Sequence, residues 1–213
     1  MNYSQTSLVL PAPAKLNLFL HITGKRNDGY HNLETLFQFI DIEDTLSFES
    51  VAGHEVELID TQSAINVQDN LVFRAAQRLI NQCQQHQVSY FGVRITLEKR
   101  LPQGAGLGGG SSDAATTLVG LNYLWGQPFT KQQLLTIGAE LGADVPIFIH
   151  GHSAFATGIG DQFTDVEPDQ SYYLVVKPQV NISTAALFAD AGLKRDCKPL
   201  SPSQWDWQNT NNV

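Results

Sequence analysis

The sequence predicts an α+β fold, and three observations carry that prediction. Segments with period-two apolar alternation are mixed with segments of helical period. The two kinds do not follow one another as regular β-α-β units, which disfavours a doubly wound parallel sheet. A composition of 42% hydrophobic and 16% charged residues over 213 residues is that of a globular chain. A chain of this size can bury roughly 70% of its unfolded surface.

Taken in order, "AKLNLFLHI" (14–22) reads as a strand, and "TLFQFIDIEDTLSFES" (35–50) as one or two more. "HEVELI" (54–59) is a further strand candidate. In "QDNLVFRAAQRLINQCQQHQ" (68–87), Leu71, Ala75, Leu79 and Cys83 recur at i+4, and Asp69 or Asn70 suits an N-cap, so a helix is predicted. "FGVRITLEKRLP" returns to alternation, with Val93, Ile95 and Leu97 on one face. A glycine loop follows, then "SSDAATTLVGLNYLWG", a helix of small residues ending near Gly126. "TKQQLLTIGAELG" is an amphipathic helix capped by Thr130 and stopped by Gly142. "VPIFIHGHSAFATG" and "YYLVVKP" are read as strands, and the composition shifts near "GDQFTDVEPDQ" (160–170), a possible domain boundary.

A net charge of −8 excludes a general nucleic-acid or membrane surface but allows an anionic ligand where cations cluster locally. Cys83 and Cys197 have no zinc-site spacing, so two buried thiols in a reducing compartment are expected. The apolar runs are too short to span a bilayer and the N-terminus lacks a signal-peptide pattern, which predicts a cytoplasmic protein.

"LPQGAGLGGGSSDAA" (101–115) is the stretch that bears on chemistry. Gly104, Gly106 and Gly109 fit a dinucleotide-binding turn, but no strand ending in Asp or Glu follows about 20 residues later to hold a ribose. A Walker loop would need Gly-Lys-Ser/Thr, whereas Gly110 runs directly into Ser111 and Ser112. The HRD and DFG motifs of protein kinases do not occur. What remains is a glycine loop entering a helix that Ser111, Ser112 and Asp113 would cap. Free amides and the positive end of the helix dipole make such an entrance an anion site.

This loop resembles the phosphate loop of the GHMP small-molecule kinases. "PAKLNLFLHITGKRNDGYHNLETLFQ", "LGADVPIF" and "GHSAFATGIGD" are similar to further stretches of that family, and the likeness runs from residue 10 to about 190. "RNDGYHNLET" is similar to the branch whose acceptor is cytidine diphosphate methylerythritol. The resemblance implies a GHMP kinase fold: residues 1–160 as an N-terminal, ATP-binding domain like domain 2 of ribosomal protein S5, and 161–213 as the start of an α/β C-terminal domain. It implies ATP with Mg2+, phosphorylation of the acceptor's 2-hydroxyl on the non-mevalonate route to isoprenoid precursors, and a monomer or weak homodimer. The family's late glycine-rich motif is absent, so the C-terminal part reads as truncated. Asp113 stands where relatives often have Asn, which adds negative charge beside the phosphates. A GHMP kinase acting on homoserine, mevalonate or a sugar is the neighbouring alternative, and a dinucleotide-binding oxidoreductase the more distant one.

Read alone, Lys15 is a snorkelling surface lysine and Asp144 a cap or turn residue. The resemblance makes them the catalytic pair. By the same matching, Pro102, Gln103, Gly104, Ala105, Gly106, Leu107, Gly108, Gly109, Gly110, Ser111 and Ser112 would wrap the ATP phosphates, with Asn70 and Lys99 near the adenosine. Otherwise Asn70 is a helix cap and Lys99 a strand-end charge. Tyr30, His31 and Phe188 would hold the cytosine by stacking and hydrogen bonding, and Asn17, Ile159 and Thr184 would line the same pocket.

Overall fold

The computed structural model describes residues 7–27, 29, 31–60, 65–179, 187, 190 and 192–200. Two long strands open the chain, β1 (Ser7–Lys25) and β2 (His31–Val51), paired with each other. β3 (Val56–Asp60), α1 (Leu71–Gln85), β4 (Gly92–Glu98), α2 (Gly109–Leu124), α3 (Lys131–Leu141), α4 (Val145–His150), β5 (Ala154–Thr157) and β6 (Gln162–Asp165) follow. Strands and helices are mixed without β-α alternation, as α+β requires. Among the described residues, no helix is long and apolar enough to cross a membrane.

The chain forms two compact units: residues 1–14, 41–103 and 108–151, and residues 15–40, 104–107 and 152–213. In the first, β4 lies between β2, antiparallel, and β3, parallel. The registers Leu46↔Leu97 and Phe48↔Ile95 bring the buried face of each strand onto that of its neighbour. Against this face pack α1, through Val72, Ala75, Leu79 and Cys83, and α2, through Ala114, Ala115, Leu118 and Leu121. In the second unit β5 pairs with β2 (Leu36↔Phe155) and with β6, around a small core of Phe19, Leu36 and Phe155.

The helix signals fall where the chemistry puts them. The Asn70 side chain accepts from the Val72 amide at 2.9 Å, capping α1. Thr130 and Gln133 form a reciprocal capping box at the start of α3, and Gly142 ends it.

Four expectations need correction. "VPIFIH" is the short helix α4, not a strand: Pro146 fits its first turn, and Val145, Pro146, Ile147 and Ile149 are all buried. An apolar run of six residues carries too little period to separate helix from strand. "YYLVVKP" carries no strand pairing; its alternation survives only in exposure, Leu174 at 90% and Val175 at 40%. The cap of α2 is Gly108, not the Ser111–Asp113 group. Of the two free thiols only Cys83 is buried, and Cys197 is half-buried.

Gly120 decides how closely α2 approaches the sheet. A Cβ there would sit 2.9 Å from Cζ of Phe48, whose ring is fully buried. Gly120→Ala gains about 1 kcal/mol of helix propensity but overpacks the core at a cost of about 1–3 kcal/mol. A net loss of about 1 kcal/mol is expected in chemical denaturation, and a variant as stable as the parent would show that the ring can yield.

Candidate active site

The glycine loop is built to keep its backbone bare. Gly104, Gly106 and Gly108 have φ of 66°, 74° and 75°, left-handed values that side chains with a Cβ rarely tolerate. Gly108 is the N-cap of α2 and supplies no side-chain hydrogen bond. The first helical bond here runs from the Ser112 amide to the Gly108 carbonyl at 2.8 Å, which leaves the amides of Gly109, Gly110 and Ser111 outside the helix's own ladder. Gly109 is pinned by close approach: a Cβ would lie 3.3 Å from Leu101 and 3.4 Å from the Lys99 ammonium. Ser112 is fully buried, and its hydroxyl has no hydrogen-bond partner among the described residues. A buried hydroxyl beside amides that the helix ladder does not use suits an anionic ligand.

Beneath the loop lies a cluster of charge. Lys99 Nζ donates to Asp113 Oδ2 at 2.7 Å and contacts Asp44 Oδ2. Asp44 Oδ1 in turn accepts from the amides of Arg100 and Leu101 at 2.5 and 2.8 Å, fixing the chain where it enters the loop. Burial pushes the Asp113 carboxyl up to about 7, against the opposing pull of Lys99. Burial alone would lower Lys99, but Asp113 and Asp44 raise it. Lys99 offsets only part of the negative charge that Asp113 was expected to add beside the phosphates, because it is shared with Asp44. The ammonium of Lys99, expected near the adenosine, is held by these two carboxylates.

Asp44 was missed in the sequence. It shares strand parity with Leu46 and Phe48, so a carboxylate on the buried face of β2 was the available signal.

In the second unit Lys15 is only 4% exposed, so it does not snorkel. Its ammonium donates to Asn17 Oδ1 at 2.6 Å and sits 5.5 Å from the Phe37 ring centroid. The amide of Asn17 donates to Thr35 Oγ1 at 2.8 Å, and the Thr35 hydroxyl donates to the Phe19 carbonyl at 2.6 Å. The Lys15 backbone N–H donates to the Leu107 carbonyl at 3.0 Å, tying β1 to the glycine loop. Thr35 and Phe37 also escaped notice, because a single strand does not reveal its cross-strand neighbours.

Asp144 is half-buried at the N-cap position of α4, yet makes no capping hydrogen bond. A Cβ on Gly142 would lie 3.8 Å from the Ser111 hydroxyl, so the turn leading to Asp144 borders the start of α2. Asn70, besides capping α1, donates to Asp60 Oδ2 at 3.0 Å. Ile159 lies half-buried in the β5–β6 turn and His31 opens β2. Tyr30, Thr184 and Phe188 lie outside the described residues.

A separate cleft of about 880 Å³ in the second unit is lined by Gln38, His152, Asp165, Glu167 and Asp169 among others. None of the nominated residues lines it, and its acidic wall suits no phosphate.

This geometry has known counterparts. Residues 70–152 match the GHMP kinases N terminal domain. The chain is 56% identical over 207 residues to 4-diphosphocytidyl-2-C-methyl-D-erythritol kinase of Idiomarina loihiensis, covering 97% of this chain and 72% of that protein. It is 52% identical over 194 residues to the kinase of the same name from Pasteurella multocida, covering 91% and 64%. A crystal structure of 4-(cytidine 5'-diphospho)-2C-methyl-D-erythritol kinase superposes with a TM-score of 0.72 at 34% identity, covering 92% of this chain and 68% of that one. A mevalonate kinase structure, at 14% identity and a TM-score of 0.55, shares the fold alone.

The fold and the loop thus define a GHMP kinase. Within that class, the chain belongs to the 4-diphosphocytidyl-2-C-methyl-D-erythritol kinase family, and it spans about two thirds to three quarters of the length of these relatives.

The Asp113 carboxyl sets a pH dependence. An unfolded Asp titrates near 4 and the folded group at about 7, so its stabilising contribution is complete below about 4 and is lost as pH rises to 7. Asp113→Asn should therefore match the parent near pH 4 and exceed it at pH 8 by about 1–2 kcal/mol, roughly 2–8 °C in Tm. Thermal melts between these limits check this, and a difference that stays flat with pH would refute it.

Proposed function

We propose that the chain transfers the γ-phosphoryl group of ATP to the 2-hydroxyl of 4-diphosphocytidyl-2-C-methyl-D-erythritol, giving the 2-phosphate and ADP. The observation that carries this reading is the bare entrance of α2, with left-handed Gly108 and the partnerless Ser112 hydroxyl, in a chain of this family. Phosphoryl transfer asks a protein mainly for positioning and for stabilisation of charge on the moving group. The backbone of Pro102–Ser112 would hold the triphosphate, with Asn70 and Lys99 toward the adenosine. Mg2+ accompanying the nucleotide would neutralise phosphate charge. Asp144 would orient the acceptor hydroxyl and take its proton, and Lys15, held by Asn17, would keep that carboxylate ionised and steady the attacking oxygen.

Tyr30, His31 and Phe188 are proposed to hold the cytosine, with Asn17, Ile159 and Thr184 beside it. Residues 1–160 would form the ATP-binding domain and 161–213 the start of the C-terminal domain. A net charge of −8 supports a small-molecule partner over a nucleic-acid or membrane surface, and a cytoplasmic monomer or weak homodimer is proposed with it.

An ADP-release assay with the cytidyl acceptor beside homoserine and mevalonate tests the reading, and turnover of either other alcohol in its place would replace it. In the same assay Asp144→Asn should lower kcat by about 10²-fold or more, as expected on losing a general base; near-normal turnover would remove Asp144 from that role. Phe188→Ala should raise KM for the cytidyl acceptor and leave that for ATP unchanged. Equal weakening of both would refute the stacking assignment.

A further inference from the structure

The Asp44–Lys99–Asp113 cluster carries a net charge of −1 when all three groups are ionised, in a region where Asp44 is fully buried and Asp113 is 3% exposed. Protonating one carboxyl makes the cluster neutral, and the hydrogen bonds say which one. Asp44 uses both oxygens, one on two backbone amides and the other on Lys99. Among the described residues, Asp113 accepts from Lys99 through Oδ2, while its buried Oδ1 has no partner and the neighbouring Asp44 carboxyl favours its protonated form. A proton on Asp113 therefore costs the least hydrogen bonding, in line with a carboxyl that titrates at about 7.

The groups around Asp113 leave this assignment intact. The ionisable groups that act on it are Lys99 and Asp44. On the packed helices, Arg74, Arg78, Lys131 and Glu140 are exposed, and Arg78 pairs with Glu140 at 3.3 Å. His150 and Asp144, at the two ends of α4, are half-buried and do not contribute to its shift. Residues 7–14 of β1 carry no charged side chain.

Asp113 lies four residues beyond Gly109, the first residue of α2, and the Lys99 ammonium rests against Gly109. A polyanion at that helix entrance adds negative charge to the same poorly solvated region. Charge of like sign favours the neutral carboxyl.

Accepting the nucleotide reading given above, we propose that Asp113 is a proton-linked positioning residue: its carboxyl takes up a solvent proton when the triphosphate settles on the α2 entrance. Lys99 then balances Asp44 alone, and the loop's anchor stays neutral beneath the bound anion. By linkage, affinity falls as pH rises, and the proton and the nucleotide strengthen each other's binding by the same factor.

The test is calorimetric titration of a nonhydrolysable adenosine triphosphate analogue with Mg2+, near pH 7.5, in several buffers of different ionisation enthalpy. The parent should take up a substantial fraction of a proton more than Asp113→Asn. Its affinity should also fall about 3–10-fold more steeply than that of the variant between pH 7 and 9. The nucleotide's own phosphate titration occurs with both proteins and cancels in the difference. Equal proton uptake in the two proteins would overturn the proposal. Infrared difference spectra of the parent, which need no variant, should show a protonated-carboxyl band growing on binding, and its absence would equally overturn it. Lack of binding heat in both proteins would remove the nucleotide reading, and this inference with it.

Discussion

The anchoring of the loop's entry by a buried carboxylate is the constraint on which the site depends. Asp44 reaches from β2 to the amides of Arg100 and Leu101, so the chain leaves β4 in a fixed direction before its glycines begin. Glycines with positive φ are conformationally costly to order, and without an anchor a run of them would sample many paths. The anchor needs Lys99 to balance it, and Lys99 draws in Asp113 from the first turns of α2. One polar cluster thereby joins β2, the end of β4 and α2, the elements that set the direction of the exposed amides.

Packing completes what the charges begin. α2 is rich in Ala, Ser, Thr and Gly, and at Gly120 the absence of a side chain lets it close on Phe48. Small residues bury little apolar area each, so the helix gains its place from closeness rather than bulk. Lys15 follows a related logic in the second unit, where a buried ammonium is held between the Asn17 side-chain oxygen and the Phe37 ring.

Much of this was legible in the sequence, for reasons that differ by element. The faces of α1 and β4 could be read because Leu79, Cys83, Val93, Ile95 and Leu97 repeat at the periods of their elements. The caps Asn70 and Thr130 could be read because capping is local chemistry. α4 could not, since its buried apolar run suits either geometry. The Ser-Ser-Asp cap of α2 failed because its residues turn inward, where Ser112 and Asp113 serve the loop rather than the helix end. Partners across the fold were beyond reach: nothing near Lys99 in sequence announces Asp44, 55 residues away.

Cys83 lies on the inner face of α1, fully buried, with burial raising its thiol to about 11. The thiolate is the reactive form, so alkylation there must wait until the helix departs from the sheet. Cys197, half-buried in the other unit, needs no such departure. The chain thus carries an internal clock: the rate at which Cys83 is labelled counts openings of the phosphate-loop unit, and any ligand that grips the loop should slow it.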